Sequence, residues 1–181
     1  MGYRDHRPGL WRTDRIGTCQ LYAPEAQPII VRIGSGTPSR LAQLLTDDSV
    51  TKLFHHAMFD LRFMTYAWDV EPRSIACTKV AAKVLQCGEP EATTSLKELL
   101  RMYLGAELDK DQQLSDWTAT EFSAEQLAYA AADVVHLLEL LECLEADLEK
   151  KSRLELAKAC YAHIPIRVKL DLLGLPDVYT Y

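Results

Sequence analysis

No apolar run approaches the roughly 18 residues needed to span a bilayer as a helix, and no basic-then-apolar leader opens the chain. The expectation is a cytoplasmic protein with no membrane anchor. There is no C-x-x-C pair. The five cysteines, at positions 19, 77, 87, 143 and 160, follow no regular spacing, which argues against a zinc site or a disulfide framework and for reduced, mostly buried thiols. Glycine and proline are sparse, 8 of each, and no stretch is low in complexity, so a fibrous repeat or a disordered linker is excluded. A surplus of positive charge is missing as well. At a net charge of -6 the chain has no means of gripping long nucleic acid through many phosphates, although a short strand held at a metal site is compatible with that balance.

What is present is an ordinary globular composition, 48% hydrophobic over 181 residues, enough for one core and therefore a single domain spanning 1–181. The first sixteen residues read as a loop. "GTCQLYA" and "PIIVRI", separated by "PEAQ", predict a β-hairpin. A short helix follows, with Thr37 as N-cap and Pro38 at its first position. "VTKLFHH" and "SIACT" predict two strands joined by a helix over about 57–67, and "KVAAKVLQ" predicts another helix. "SLKELLRMYLG" predicts a helix opened by a Ser95/Glu98 capping box and closed by Gly105. One long amphipathic helix is expected from Ser123 to about 148, opened by the box "SAEQ". A last helix should end at His163, before Pro165, leaving 164–181 as an apolar tail and a possible oligomer contact. Alternating strands and helices predict an α/β layered fold.

Three residues invite a chemical reading. Tyr129 and Asp133 lie four apart in "LAYAAADVVHLL", about 40° apart on one helix face, so they project the same way. Asp60 follows the strand in "FHHAMFDLRFM", where a side chain can face a cleft at the end of a sheet. Each has an ordinary alternative: a packing Tyr beside a hydrogen-bonded Asp, and a first-turn Asp favoured by the helix dipole. Their order along the chain, with "QLSDW" between them, is what chance rarely supplies.

That ordered set resembles the DEDDy-type 3'-5' exonucleases, in particular the ribonuclease D and nanoRNase C group of the DnaQ-like, ribonuclease H-like superfamily. "KLFHHAMFDLRFM" resembles the second exonuclease motif. "CTKVAAKVL" and "SLKELLRMYLG" resemble the middle region, "DKDQQLSDW" the loop before the third motif, and "LAYAAADVVHL" the third motif. "AKACYAHIPIRVKLDLLG" resembles the nanoRNase C branch. The resemblance implies a central mixed sheet flanked by helices. It also implies four carboxylates holding two Mg²⁺ or Mn²⁺ ions for phosphodiester hydrolysis, a task that requires hard oxygen ligands. Carried over by position, Asp60 and Asp133 resemble metal ligands and Tyr129 the residue that orients the attacking water. His55 matches a position beside the site, and Lys79, Gln113, Asp116 and Trp117 match positions expected to touch substrate or order a loop. Short single-stranded RNA, or DNA, is the implied substrate and a homo-oligomer the implied assembly.

One part of the pattern is missing. The family's first motif, D-x-E on the first strand, precedes a glycine-containing loop, yet upstream of "DRIGTCQL" there is no D-x-E, and Arg4 and His6 stand at the acidic positions. A cation there cannot ligate a metal. Either the first strand lies upstream of Met1, or the chain is an exonuclease relative that kept the fold for binding or assembly. On both readings the 181 residues alone are expected to hydrolyse little or nothing.

Overall fold

A computed structural model describes residues 10–90, 92–108, 115, 117, 121–175 and 178. The short helix α1 (Leu10–Thr13) lies in the stretch expected to be a loop, where the Arg62 guanidinium stands 5.4 Å from the Trp11 ring. The predicted hairpin forms as β1 (Thr18–Leu21) and β2 (Ile29–Arg32), antiparallel with Thr18 opposite Arg32 and Leu21 opposite Ile29. Helix α2 (Ser39–Thr46) begins one residue later than expected, with Pro38 rather than Thr37 at the N-cap.

The second pair, β3 (Lys52–Phe54) and β4 (Ile75–Cys77), is parallel, with Lys52 beside Ile75 and Phe54 beside Cys77. Parallel strands need a crossover, here provided by α3 (Ala57–Trp68). All three residues of β4 are buried, as befits a parallel strand covered on both faces. Helix α4 (Thr78–Leu85) starts directly after β4, just as α3 starts after β3, so both helices rise from the same end of the pair. The described strands thus form one antiparallel and one parallel pair rather than a continuous sheet.

Helix α5 (Leu96–Leu104) closes at Gly105 with φ 62°, the left-handed conformation that glycine adopts without steric cost. Its expected capping box is not made, because the Glu98 carboxylate accepts from Arg101 Nη2 at 3.0 Å instead. The Ser123 box does form: Ser123 Oγ accepts from the Gln126 N–H at 3.2 Å, and Gln126 Oε1 accepts from the Ser123 N–H at 2.9 Å.

The predicted long helix is two, α6 (Ala124–Val135) and α7 (Leu137–Lys150), broken at His136. The β-branched pair Val134–Val135 weakens the helix there. The break lets α6 lie against β1 and β2 while α7 turns to pack on α4. Conversely α8 (Leu154–Leu172) runs straight through Pro165. An interior proline costs about 3 kcal/mol. Burial of Ile164 and Val168 on either side, each worth roughly 1.5–3 kcal/mol, offsets it. No described helix is long and apolar enough to cross a membrane.

Two apolar clusters result. Leu85, Leu99, Leu100, Leu140, Leu144 and Leu148 join α4, α5 and α7, while Ala57, Leu61, Met64 and Trp68 set one face of α3 against Cys19, Ile75 and Cys77. Helix α8 belongs to both, giving Ala157 and Tyr161 to the first and Ile164 and Val168 to the second. Leu144 has no exposed surface, whereas Leu156 keeps 59% of its own. Leu144→Ala should therefore cost about 2–5 kcal/mol in urea unfolding, and Leu156→Ala less than about 0.5 kcal/mol. Equal losses at the two positions would contradict this packing.

Candidate active site

Asp60 occupies the first turn of α3, at the border between the face that buries Ala57, Leu61 and Met64 and the face turned to solvent. It is half-buried and deep among protein atoms, as a carboxyl on the floor of a cleft would be. Desolvation, reinforced by the charge of Asp133, pushes its pKa up to about 7, against a smaller opposing effect of a backbone hydrogen bond. Burial foremost, and then the Asp60 charge, lifts the Cys19 thiol on β1 to about 11. Cys77 at the end of β4 is raised in the same way, by burial first. The Asp60 charge is thus felt at Cys19 on the hairpin and at Cys77 at the end of the parallel pair.

Asp133 and Tyr129 come from α6, one turn apart. Desolvation, the Asp133 charge and a hydrogen bond to that carboxylate raise the Tyr129 phenol to about 12. The phenol therefore stays protonated and donates to Asp133. Tyr129 and Asp133 are thus hydrogen-bonded one turn apart on α6, and the Asp133 charge acts on Asp60 of α3.

The position of α6 depends on contacts that the sequence alone did not single out. The Trp117 ring lies 5.6 Å from Phe122 and 6.0 Å from Tyr129, and the Arg32 guanidinium stands 4.6 Å from the centre of Phe122. Gly17, at the foot of β1, permits this approach, because a Cβ there would stand 2.8 Å from the Trp117 carbonyl oxygen. Nothing local marks Gly17, since its partner is a hundred residues away. Of the residues expected to contact substrate, Trp117 thus packs beside Tyr129, while Gln113 and Asp116 lie outside the described residues.

His55 ties the strand ends together. Its Nε2 donates to the Thr94 carbonyl at 3.0 Å, which leaves Nδ1 to accept from the buried Thr78 hydroxyl at 2.9 Å. Both ring nitrogens are engaged, so His55 ties the end of β3 to the start of α4 and to the stretch before α5. Lys79 follows on the first turn of α4, its backbone N–H donating to the His55 carbonyl at 3.2 Å.

Hard divalent cations take oxygen donors, and the Asp60 and Asp133 carboxylates, near enough for the charge of Asp133 to act on Asp60, are oxygen donors of that kind. Among the described residues no group of three His, Cys, Asp or Glu gathers as a complete metal site. Asp60 nevertheless fits such an ion, because burial disfavours its anionic form and a bound cation would offset that cost. A concavity of about 690 Å³ beside Arg73, Glu145 and Tyr161 includes none of these residues.

The profile of a family described as 3'-5' exonuclease matches residues 9–149. Ribonuclease D of Gluconacetobacter diazotrophicus is 38% identical over 115 residues, 64% of this chain and 28% of that protein. Ribonuclease D of Nitrobacter hamburgensis is 31% identical over 135 residues, 74% of this chain and 35% of that protein. The chain spans about a third of the length of these relatives. Among solved structures, NrnC of Brucella melitensis superposes with a TM-score of 0.86 at 34% identity, over 94% of this chain and 84% of that one. That protein has also been solved bound to pGG and with bound Mg²⁺.

The raised pKa of Asp60 has a consequence for stability. The fold favours the protonated acid, so its stabilising contribution is complete below the ordinary value of 3.8 and is lost as pH rises towards about 7. In chelator-containing buffer, Asp60→Asn should exceed the parent by on the order of 3 kcal/mol at pH 8, and that difference should vanish at pH 4. Urea unfolding of both proteins across that range checks it. A difference independent of pH would mean that Asp60 is not enclosed as described.

Proposed function

Because the chain belongs to the 3'-5' exonuclease family, within the ribonuclease D and NrnC group, we propose that its domain removes nucleotides from the 3' ends of short single-stranded RNA. The observation that carries this reading is that Asp60 on α3 feels the charge of Asp133 on α6, while the Tyr129 phenol donates to Asp133. The pGG bound to NrnC favours a substrate a few nucleotides long, as does this chain's net charge of -6.

In this mechanism Asp60 and Asp133 would hold divalent cations, Mg²⁺ or Mn²⁺, as two of the four carboxylates of the family's site, and the bound cations would supply Lewis acidity for hydrolysis of the phosphodiester. Tyr129, kept protonated near Asp133, orients the attacking water by its hydroxyl. His55 ties the end of β3 to Thr78 and Thr94, and Trp117 packs against Tyr129 to limit its swing. Lys79, Gln113 and Asp116 match positions that contact the substrate.

A second reading has its own observation. These 181 residues contain no D-x-E before β1, and Arg4 and His6 occupy the aligned positions. Half of the metal cage is then missing, and the polypeptide by itself binds rather than cleaves. The five free cysteines suit a reducing compartment, and we assign the protein to the cytoplasm. Exposed Ile166, Leu173 and Leu175 at the end of α8 suit contact with a second copy.

Incubation with 5'-labelled RNA of two to seven nucleotides in Mg²⁺ or Mn²⁺ tests both readings. The 181-residue chain should leave the RNA intact. A chain extended by the codons that precede Met1, if they encode D-x-E, should shorten it from the 3' end. In that longer chain Tyr129→Phe should slow cleavage by roughly 10²–10⁴-fold, and Asp133→Asn should abolish it. Equal cleavage by the Asp133→Asn protein would sink the site assignment. A preceding stretch without the acidic pair would favour the inactive relative.

A further inference from the structure

The open end of the hairpin touches the stretch before α6 at two places, one from each strand. Next to β1, Gly17 lies so close to the backbone of Trp117 that a Cβ there would meet the Trp117 carbonyl oxygen at 2.8 Å. On β2, the exposed Arg32 sets its guanidinium 4.6 Å from the centre of the Phe122 ring. From the hairpin the contacts run inwards, Phe122 to Trp117 at 5.6 Å and Trp117 to Tyr129 at 6.0 Å. The end of the hairpin is thereby linked, ring by ring, to the phenol beside Asp133.

The two sides of the Gly17 contact are held differently. The Gly17 carbonyl accepts from the Ile33 N–H at 2.9 Å, and Thr18 beside it pairs with Arg32 across the hairpin, so the ladder fixes Gly17. Trp117 belongs to no helix or strand. Nearby Ser115 is fastened instead to α6, where the buried Gln126 donates from Nε2 to its Oγ at 3.1 Å while also closing the Ser123 capping box. A methyl group at Gly17 must therefore be accommodated by Trp117, whose carbonyl has to recede by about 0.6 Å to reach the 3.4 Å of an ordinary contact. The backbone at Gly17 is not left-handed, so the demand for a small residue comes from this contact and not from its conformation.

We propose that Gly17 is a positioning residue for Tyr129: acting through Trp117, the end of the hairpin sets where the hydroxyl that orients the attacking water stands. The inference rests on the exonuclease reading for the role of Tyr129, and adds to it the distant residue that fixes its place. Displacements of this size matter to a reaction, since a misplacement of about 1 Å can cost on the order of 10²-fold in rate. Gly17 itself touches neither substrate nor metal ligand in this scheme.

A mutant cycle on the 181-residue chain tests the contact without metal or substrate. Urea unfolding of Trp117→Ala, Tyr129→Ala and the double variant should show the two rings coupled by roughly two- to twelvefold in the unfolding constant. Repeated in a Gly17→Ala background, that coupling should shrink to near unity. An unchanged coupling would overturn the proposal even if Gly17→Ala lowers stability, because a merely structural loosening leaves that pair intact. In a longer chain that cleaves RNA, Gly17→Ala should lower kcat by about tenfold with KM changed less than about twofold, and should add nothing to Tyr129→Phe. A kcat that does not respond to Gly17→Ala would also overturn the proposal and leave the exonuclease reading standing. So would a further loss when Tyr129 is already Phe, since another residue would then carry the effect. Absence of cleavage by a longer chain with the acidic pair would instead sink the exonuclease reading, and the coupling alone would decide whether Gly17 places Tyr129.

Discussion

The parallel pairing of β3 with β4 is the constraint on which the rest of the structure depends. Because the two strands run in one direction with Phe54 beside Cys77, they end at the same level, and both α3 and α4 must begin there. That single arrangement delivers Asp60, the His55–Thr78 hydrogen bond and Lys79 to one end of the molecule. A shift of register by one residue would exchange the faces of the strands and break the His55 tie to Thr78.

At that end burial dominates the electrostatics. Asp60 is desolvated and feels the charge of Asp133, and burial favours the neutral forms of Cys19, Cys77 and Tyr129 as well. Asp133 accepts from the Tyr129 phenol, and burial makes the anionic form of Asp60 costly. The cations the fold does provide are set to the side, on α4 and on α3 beyond Asp60, where Arg62 is clamped by Asp171 together with Arg167 of α8.

Helix α8 supports this arrangement from behind. It is the element common to both apolar clusters, and its passage through Pro165 shows how far burial outweighs local propensity. Asp171 near its end, 8% exposed, then fixes Arg62. The residues that look like a tail in the sequence are thus part of what holds α3, and with it Asp60, in place.

Much of the site was legible in one dimension because its signals are local. The spacing of Tyr129 and Asp133 on one helix, the Ser123 capping box and the Asp60 that follows a short apolar strand are all consequences of helix and strand periodicity. The sequence by itself therefore determined which residues share a face, where most helices begin, and that the chain resembles an exonuclease whose first acidic motif is absent from these residues. Only the tertiary structure decided that the long helix divides at His136, that α8 continues past Pro165, that His55 spends both its nitrogens on Thr78 and Thr94, and that Gly17 must be small for Trp117 to reach Tyr129. The physical reason is the same in each case: these outcomes are set by burial and contact between residues far apart in the chain, whose energies exceed the local preferences that a sequence displays.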